Sequence, residues 1–178
     1  MKEFDLMKVL LRFFLALMFS LSLGSCGLFG SKDEPPPPPP PTRVELKIEA
    51  AKNANPNAEG IGSPTLLRVY ELRNLANFNN ADFFALYEKD QSTLASDLVV
   101  KQEFLLKPGE QRELAFDTDK DTQFIALFAA FRKLDDAQWR LITPLPPNQT
   151  TLINAKIDEV VLSQTVSQKP MPKPDAGD

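Results

Sequence analysis

The chain of 178 residues has no histidine, and its only cysteine is Cys26. Without histidine, the serine–histidine–aspartate and cysteine–histidine arrangements of nucleophilic catalysis are excluded, and so are the usual zinc ligand sets. The seven glycines are not grouped as a phosphate-binding loop requires. The net charge of −4 does not favour binding to nucleic acid. We therefore expect a protein that is not an enzyme and that uses no metal or diffusible cofactor.

Carboxylates are the remaining candidates for site chemistry. Asp117, Asp119 and Asp121 alternate in a short polar segment, a spacing that can bring oxygen ligands to calcium. The segment lacks the glycine and the bidentate glutamate of a calcium loop, so a solvated hairpin turn is the better interpretation. The neighbouring acids Asp135 and Asp136 likewise suit an exposed turn.

No apolar run is long enough to span a membrane. The longest one, Phe13–Leu23, has about 11 residues, whereas a membrane helix needs roughly 18 or more. It follows a weakly basic start with Lys8 and Arg12, and this order is typical of a secretory signal peptide over residues 1–25. Glu3 and Asp5 are unusual at the basic start of a signal peptide, so translation can begin at Met1 or at Met7.

The segment ends in Leu23, Gly24, Ser25 and Cys26, which resembles the bacterial lipobox. The resemblance implies cleavage before Cys26, a diacylglycerol on its sulfur and an N-acyl chain, which together hold the protein at a membrane. Gly27, rather than aspartate, follows the cysteine, and by resemblance to lipoprotein sorting signals it implies transfer to the outer membrane.

A spacer follows the predicted anchor over residues 26–42. Its second half contains seven consecutive prolines, Pro35–Pro41, which favour an extended polyproline II rod of about 20 Å, at about 3.1 Å per residue. The other end of the chain, residues 167–178, is rich in proline and is predicted to be a disordered tail.

Residues 43–166 carry the pattern of one β-sandwich domain. Apolar residues alternate with polar ones, as in Val44–Ile48, and alternation with a period of two indicates half-buried strands. Regularly spaced turn signals predict a mainly β sandwich of seven or eight strands. The apolar run within Thr122–Phe131 indicates a central strand covered on both faces. The other predicted strands are 67–71, 99–106, 112–116, 138–143, 150–158 and 160–165.

Residues 78–98 break this alternation and predict a helical insertion. Asn80 is a candidate N-cap, and the aromatic residues Phe78, Phe83, Phe84 and Tyr87 recur at helical spacing. Two interpretations are open: a ligand pocket, or an amphipathic helix that seals the open end of the sandwich by core packing. The second is favoured.

The connection 51–64 between the first two strands is unusually long. A hairpin needs two to five residues, and long loops on a rigid sandwich are common binding sites. We therefore predict a partner-binding loop, although a passive excursion is open. The candidate contact residues are Asn53, Asn55, Pro56, Asn57, Gly60 and Ile61.

An ordered set of residues across the domain resembles the TssJ (SciN) lipoproteins of type VI secretion systems. The resemblance rests on the order of these residues along the chain. The set comprises Asn55–Asn57, Gly60, Ser63, Pro64, Arg68–Leu72, Phe78, Ala81–Phe83, Leu86, Leu94, Asp97, Leu98, Pro108–Glu110, Ala129–Arg132, Trp139 and Arg140.

The resemblance implies a transthyretin-like β-sandwich with an extra helical element, attached to the periplasmic face of the outer membrane. It implies binding to the periplasmic domain of TssM, and through TssM an indirect link to TssL. It also assigns loop 51–64 to the TssM interface.

Two other classes stay open, both without an enzymatic role. One is a periplasmic solute- or cell-wall-binding lipoprotein, for which we expect a deep apolar pocket lined by the helix. The other is a pilotin of another secretion system, which would hold a client tail in an exposed groove.

Overall fold

The computed structural model describes residues 38–169. The predicted signal peptide, the lipidation site Cys26, the sorting residue Gly27 and the first three residues of the proline run lie outside the described residues, as do residues 170–178 of the predicted tail. Within residues 38–169, one turn of 3-10 helix lies at Ala95–Asp97, beside eight strands and two short α-helices. In chain order they are β1 Arg43–Ala50, β2 Thr65–Leu72, α1 Ala76–Asn80, α2 Phe83–Leu94, β3 Leu98–Leu106, β4 Gln111–Asp117, β5 Phe124–Ala130, β6 Arg140–Pro144, β7 Thr150–Asp158 and β8 Val161–Lys169.

The strands form two four-stranded sheets. The first has the order β4-β1-β7-β8, in which β1 runs antiparallel to β4 and parallel to β7, and the second has the order β3-β2-β5-β6. The prediction of a mainly β sandwich is confirmed, with eight strands. The predicted tail begins too early, because residues 167–169 continue β8, where Lys169 pairs with Thr150.

The core lies between the sheets, as the alternation predicts. In β1 the side chains of Val44, Leu46 and Ile48 are fully buried, while Glu45 and Lys47 point away from the core. Each such apolar side chain contributes about 1.5–3 kcal/mol when it is removed from water. The burial of every second residue also determines the register, since a slip by one residue would turn this apolar set towards solvent.

Strand β5 is covered on both faces, and this prediction is confirmed. Ile125 and Leu127 pack between the two sheets, whereas Ala126 and Phe128 pack against the helical segment. A strand with two covered faces needs apolar residues at consecutive positions rather than alternate ones. This requirement explains the unbroken apolar run.

The helical segment is present, but its position and its cap differ from the prediction. Both helices pack on the outer face of the second sheet, so they do not seal the end of the sandwich. Asn80 ends α1 instead of capping a helix, because Ala81 is extended with ψ of 138°. The cap of α2 is Asp82, whose Oδ1 accepts from the Ala85 N–H at 2.8 Å.

The aromatic residues of this segment divide into two groups. Phe78 and Phe83 are buried as predicted, but 58% of Phe84 and 45% of Tyr87 are exposed, so core packing is the wrong interpretation for these two. Consecutive helical residues point about 100° apart, so Phe83 and Phe84 cannot both face the sheet.

The domain has two distinct ends. The spacer enters β1 through Thr42, whose carbonyl accepts from the Thr118 N–H and whose Oγ1 accepts from the Asn148 N–H, both at 2.9 Å. Strand β1 then carries the chain about 26 Å, at about 3.3 Å per residue, to the opposite end. Loop 51–64 therefore lies at the end of the sandwich opposite Thr42. Within residues 38–169, no helix has the length and apolar character needed to cross a membrane.

Candidate functional site

Loop 51–64 is long because it passes from one sheet to the other. It leaves β1 in the first sheet and enters β2 in the second, at the end of the sandwich where three other connections also lie. The loop contacts all three of them. The Asn55 N–H donates to the Glu159 carbonyl at 2.7 Å, the Gly109 N–H donates to the Ala51 carbonyl at 3.4 Å, and the Asn55 Oδ1 accepts from the Arg132 N–H at 2.8 Å.

Asn55 holds the loop from the inside. Only 2% of this residue is exposed, its φ of 51° is left-handed, and asparagine tolerates that conformation better than most residues. Its Nδ2 donates to the Pro64 carbonyl at 3.0 Å, and its Oδ1 accepts from the Arg132 N–H at 2.8 Å. The predicted contact residue Asn55 is thus turned inwards, because its amide satisfies two backbone groups that would otherwise lack partners.

The tip of the loop is shaped by Asn57. The Asn57 Oδ1 accepts from the N–H groups of Glu59 at 3.1 Å and Ile61 at 2.9 Å. Gly60 has a φ of 78°, a conformation that favours glycine over other residues. The resulting turn leaves 65% of Ile61 exposed.

The remaining predicted residues lie on the flank of the loop. Asn53 is exposed, and its side chain, together with the Lys156 ammonium, lowers the pKa of Asp158; the Lys156 hydrogen bond has the larger effect. Pro56 is partly buried. Of the six predicted residues, Asn53, Gly60 and Ile61 are therefore the exposed ones.

An open groove of about 540 Å³ adjoins the loop. Its aromatic wall is formed by Phe83, Phe84 and Tyr87 of α2, and Leu105 at the end of β3 lines it as well. The other lining residues are Asn55, Ser63, Pro64, Leu66, Ala130, Phe131, Arg132 and Leu134. The groove is open to solvent, unlike the deep pocket expected of a solute-binding lipoprotein.

Sequence reasoning missed Leu105 and Arg132 as groove residues. A signal for Leu105 was present, since Phe104, Leu105 and Leu106 are consecutive apolar residues in a strand with one buried face. One of the two leucines must therefore point outwards, and Leu105 is 59% exposed while Leu106 is buried. No local pattern marks Arg132, because its partners come from other parts of the chain.

Helix α2 is held on the sheet by Arg68 of β2. The Arg68 Nη1 donates to the Leu86 carbonyl at 2.6 Å and to the Tyr87 carbonyl at 3.0 Å, just before the helix is interrupted at Lys89. Its Nε pairs with the Glu103 carboxylate at 2.7 Å. Arg68 thus satisfies carbonyls at the end of the first part of α2, which carries the groove aromatics.

Asp90 completes this cluster. Its Oδ2 lies 3.4 Å from the Arg68 Nη1 and 2.9 Å from the Lys101 Nζ, and accepts from the Tyr70 hydroxyl at 3.1 Å. Burial acts to raise the pKa of Asp90, but the Lys101, Arg68 and Tyr70 contacts together lower it below its usual value. Burial also raises the pKa of Tyr70 well above its usual range. Asp90 and Tyr70 thus keep their ordinary charges near neutral pH, and the cluster positions α2.

The acidic segment that begins with the last residue of β4 contains separate contacts rather than one site. Asp117 pairs with Arg43 at 2.8 Å, and Asp121 pairs with Arg73 at 3.0 Å. Within residues 38–169, no group of three or more acidic, cysteine or histidine side chains could hold a metal ion. The predicted turn is present, but it is not a hairpin, since β4 and β5 belong to different sheets.

The fold defines a class: a two-sheet β-sandwich that carries helices on one outer face and presents a long, ordered loop at one end. The chain belongs to the family of type VI secretion lipoproteins that includes VasD, EvfM and TssJ, whose model matches residues 42–160. The resemblance identified from the sequence is confirmed, and the signal peptide and lipid anchor expected from the sequence are consistent with a lipoprotein family. No curated protein matches the chain significantly.

Solved structures of other proteins are similar to this chain. The type VI secretion lipoprotein TssJ1 from Pseudomonas aeruginosa is 40% identical, with a TM-score of 0.69, over 75% of this chain and 100% of that chain. Serratia marcescens Lip, a membrane-bound component of the type VI secretion system, is 28% identical, with a TM-score of 0.62, over 70% of this chain and 98% of Lip.

A third match comes from a structure described as the TssM C-terminal domain, residues 869–1107, from EAEC. It is 28% identical with a TM-score of 0.58, and it covers 68% of this chain and 99% of the matched chain.

Proposed function

We propose that this protein is an outer-membrane lipoprotein that binds the periplasmic domain of TssM and thereby anchors the trans-envelope complex of a type VI secretion system. Cys26 carries the acyl chains, and Gly27 directs the protein to the outer membrane. TssL is reached only through TssM. Family membership supports this role.

The observation that carries the proposal is the polarity of the domain. The spacer enters at Thr42, whereas loop 51–64 lies at the other end of β1. The chain that leads from Cys26 joins the domain at the Thr42 end, so the attachment leaves the loop at the opposite end free for a partner. The proline run increases this reach, because polyproline II is extended and semi-rigid.

The match to the TssM structure supports the choice of partner. The match covers 68% of this chain, or about 121 residues, and 99% of the matched chain, which is therefore about 122 residues long. The TssM segment, 869–1107, is about twice that length. The matched chain thus has the length of a lipoprotein domain rather than that of the whole TssM segment, which supports association of such a domain with TssM.

The loop geometry narrows the contact surface. Asn55 and Asn57 shape the loop through backbone groups, whereas Ile61 and Asn53 are exposed. We assign direct TssM contact to the tip, with Ile61 as its apolar residue. A partner that buries this exposed side chain gains the free energy of its removal from water.

The test is a pull-down from detergent-solubilised membranes with the tagged native lipoprotein and with Cys26→Ser. We expect TssM to be recovered with the native protein. We expect the Cys26→Ser variant no longer to fractionate with the outer membrane. Native protein that reaches the outer membrane but never recovers TssM would refute TssM binding and leave only the lipoprotein assignment. A Cys26→Ser variant that still fractionates with the outer membrane would refute the anchor.

A further inference from the structure

Exposed apolar side chains are concentrated around the groove beside loop 51–64. Six large apolar side chains are exposed in residues 38–169, and three of them, Phe84, Tyr87 and Leu105, line the groove. A fourth, Ile61, is at the tip of the adjoining loop. Single exposed apolar residues are ordinary, but a cluster of them around a concave surface is typical of a binding site.

The aromatic wall of the groove is ordered before any partner arrives. The Phe83 ring stacks on Tyr87, with centroids 5.9 Å apart and an interplanar angle of 13°, and meets Phe84 edge-on at 5.4 Å. Phe83 is itself held 5.2 Å from the Phe128 ring of β5. Because these rings are fixed by neighbours, binding would lose little side-chain entropy.

The charge of the groove limits what can occupy it. Arg132 is the only charged residue among those that line the groove, and it forms no ion pair with any of residues 38–169. Its backbone N–H is bonded to Asn55, so the arginine is attached to the ordered loop. Asp135 and Asp136 lie in the same turn but do not line the groove. An arginine beside an aromatic surface favours a carboxylate with apolar neighbours.

We infer that the groove holds a segment of the partner that contains apolar side chains next to an acidic residue. The apolar side chains cover Phe84, Tyr87 and Leu105, and the carboxylate pairs with Arg132. This inference rests on the proposed function, because the segment is assigned to the periplasmic domain of TssM. It extends the contact surface from loop 51–64 to α2 and the end of β3.

The apolar part is tested with paired substitutions on one strand. Leu105→Ser changes a groove residue, and Val100→Ser changes a 37% exposed apolar residue of β3 outside the groove. We measure the Kd of the mature lipoprotein in detergent for the purified TssM periplasmic domain. We expect Leu105→Ser and Phe84→Ser each to weaken binding by about tenfold or more, as central apolar contacts do, with Val100→Ser within about twofold of native.

The charged part is tested by reversal. Arg132→Glu is compared with Lys120→Glu, an exposed lysine in the turn after β4 that makes the same change in net charge. We expect Arg132→Glu to weaken binding by about tenfold and to reduce its dependence on salt, because the lost pair is electrostatic. Lys120→Glu is expected to leave both quantities near the native values. Thermal unfolding followed by Trp139 fluorescence checks that every variant is folded.

The outcomes separate this inference from the proposed function. If the native protein does not bind the TssM domain, the proposed function fails. If native protein binds and the folded groove variants bind equally well, only the groove inference is overturned. Weakened binding by Leu105→Ser and Phe84→Ser without an effect of Arg132→Glu would overturn the acidic character of the segment. Concentration-dependent dimers that disappear in Phe84→Ser would assign the groove to a second copy of this chain and overturn the inference.

Discussion

Replacement of Arg68 by methionine should test what holds helix α2 on the sheet. Methionine retains the apolar stem but removes every donor. Two carbonyls, those of Leu86 and Tyr87, lose the Arg68 N–H groups at 2.6 and 3.0 Å. Asp90 loses one of its two cations, since Lys101 remains 2.9 Å away.

The expected loss of stability follows from the burial of each group. A hydrogen bond from a charged group contributes about 1.5–3 kcal/mol, and the bonds from Arg68 to the two carbonyls, one buried and one partly buried, supply most of the effect. The Glu103 pair contributes little, because 43% of the glutamate side chain is exposed and such pairs are worth about 0–1 kcal/mol. We expect Arg68→Met to lower the free energy of unfolding by about 3 kcal/mol, or the Tm by about 10 °C.

Trp139 provides the assay. It is the only tryptophan, and its ring lies 5.5 Å from Phe83 and 5.7 Å from Phe128, so its fluorescence reports on the packing of α2. Urea unfolding of the mature protein is followed by this signal. The control is Arg73→Met, because Arg73 also bonds a carbonyl and a carboxylate but is 44% exposed; we expect a loss under about 1 kcal/mol.

One result would refute the reasoning. If Arg68→Met and Arg73→Met lower the free energy of unfolding equally, then the desolvation of the Arg68 guanidinium cancels the free energy gained from its contacts. In that case α2 is held by its apolar face alone. A loss for Arg68→Met that is clearly larger than for the control supports the assignment of Arg68 as the residue that fixes α2.

Four further predictions follow from particular contacts. Asn55→Ala should lower the free energy of unfolding in urea by about 2–3 kcal/mol, because two partly buried hydrogen bonds are lost and alanine disfavours a φ of 51°. Native-like stability would contradict an inward role of Asn55. The contacts of Asp90 lower its pKa in the folded protein. Asp90 therefore contributes fully to the free energy of unfolding above the unfolded pKa of about 3.9, and this contribution is lost as the pH falls through the folded pKa. Asp90→Asn should make the free energy of unfolding less dependent on pH on the acid side. Arg140→Ala should lower the free energy of unfolding by about 1–2 kcal/mol, since the Arg140 Nη1 donates to three carbonyls at the end of α1. It should also change the fluorescence of Trp139, because the guanidinium lies 4.8 Å from the indole ring. An unchanged emission spectrum would contradict this contact. Shortening Pro35–Pro41 to two residues should impair secretion without lowering the Tm; unaltered secretion would count against the reach argument.

Local patterns predicted most of the strands, and the order of residues along the chain identified the family. The alternation in Val44–Ile48 has a period that only a strand with one buried face requires, and the apolar run of β5 indicates a strand with two covered faces. The order of residues around Cys26 is also a local signal, and lipidation at that residue stays a prediction. Such features can be predicted because neighbours in sequence determine them.

The tertiary structure decided which distant residues meet. Sheet membership, the place of α2 on the outer face and the inward turn of Asn55 each depend on partners far along the chain, such as Arg132 at 77 positions from Asn55. The groove joins α2, the end of β3 and the turn after β5, so no single segment carries its pattern. The sequence by itself determined the strands and the family, because their signals are short-range or ordered along the chain. The contact surface was decided only by folding, because long-range packing buries some side chains of each segment and leaves others exposed.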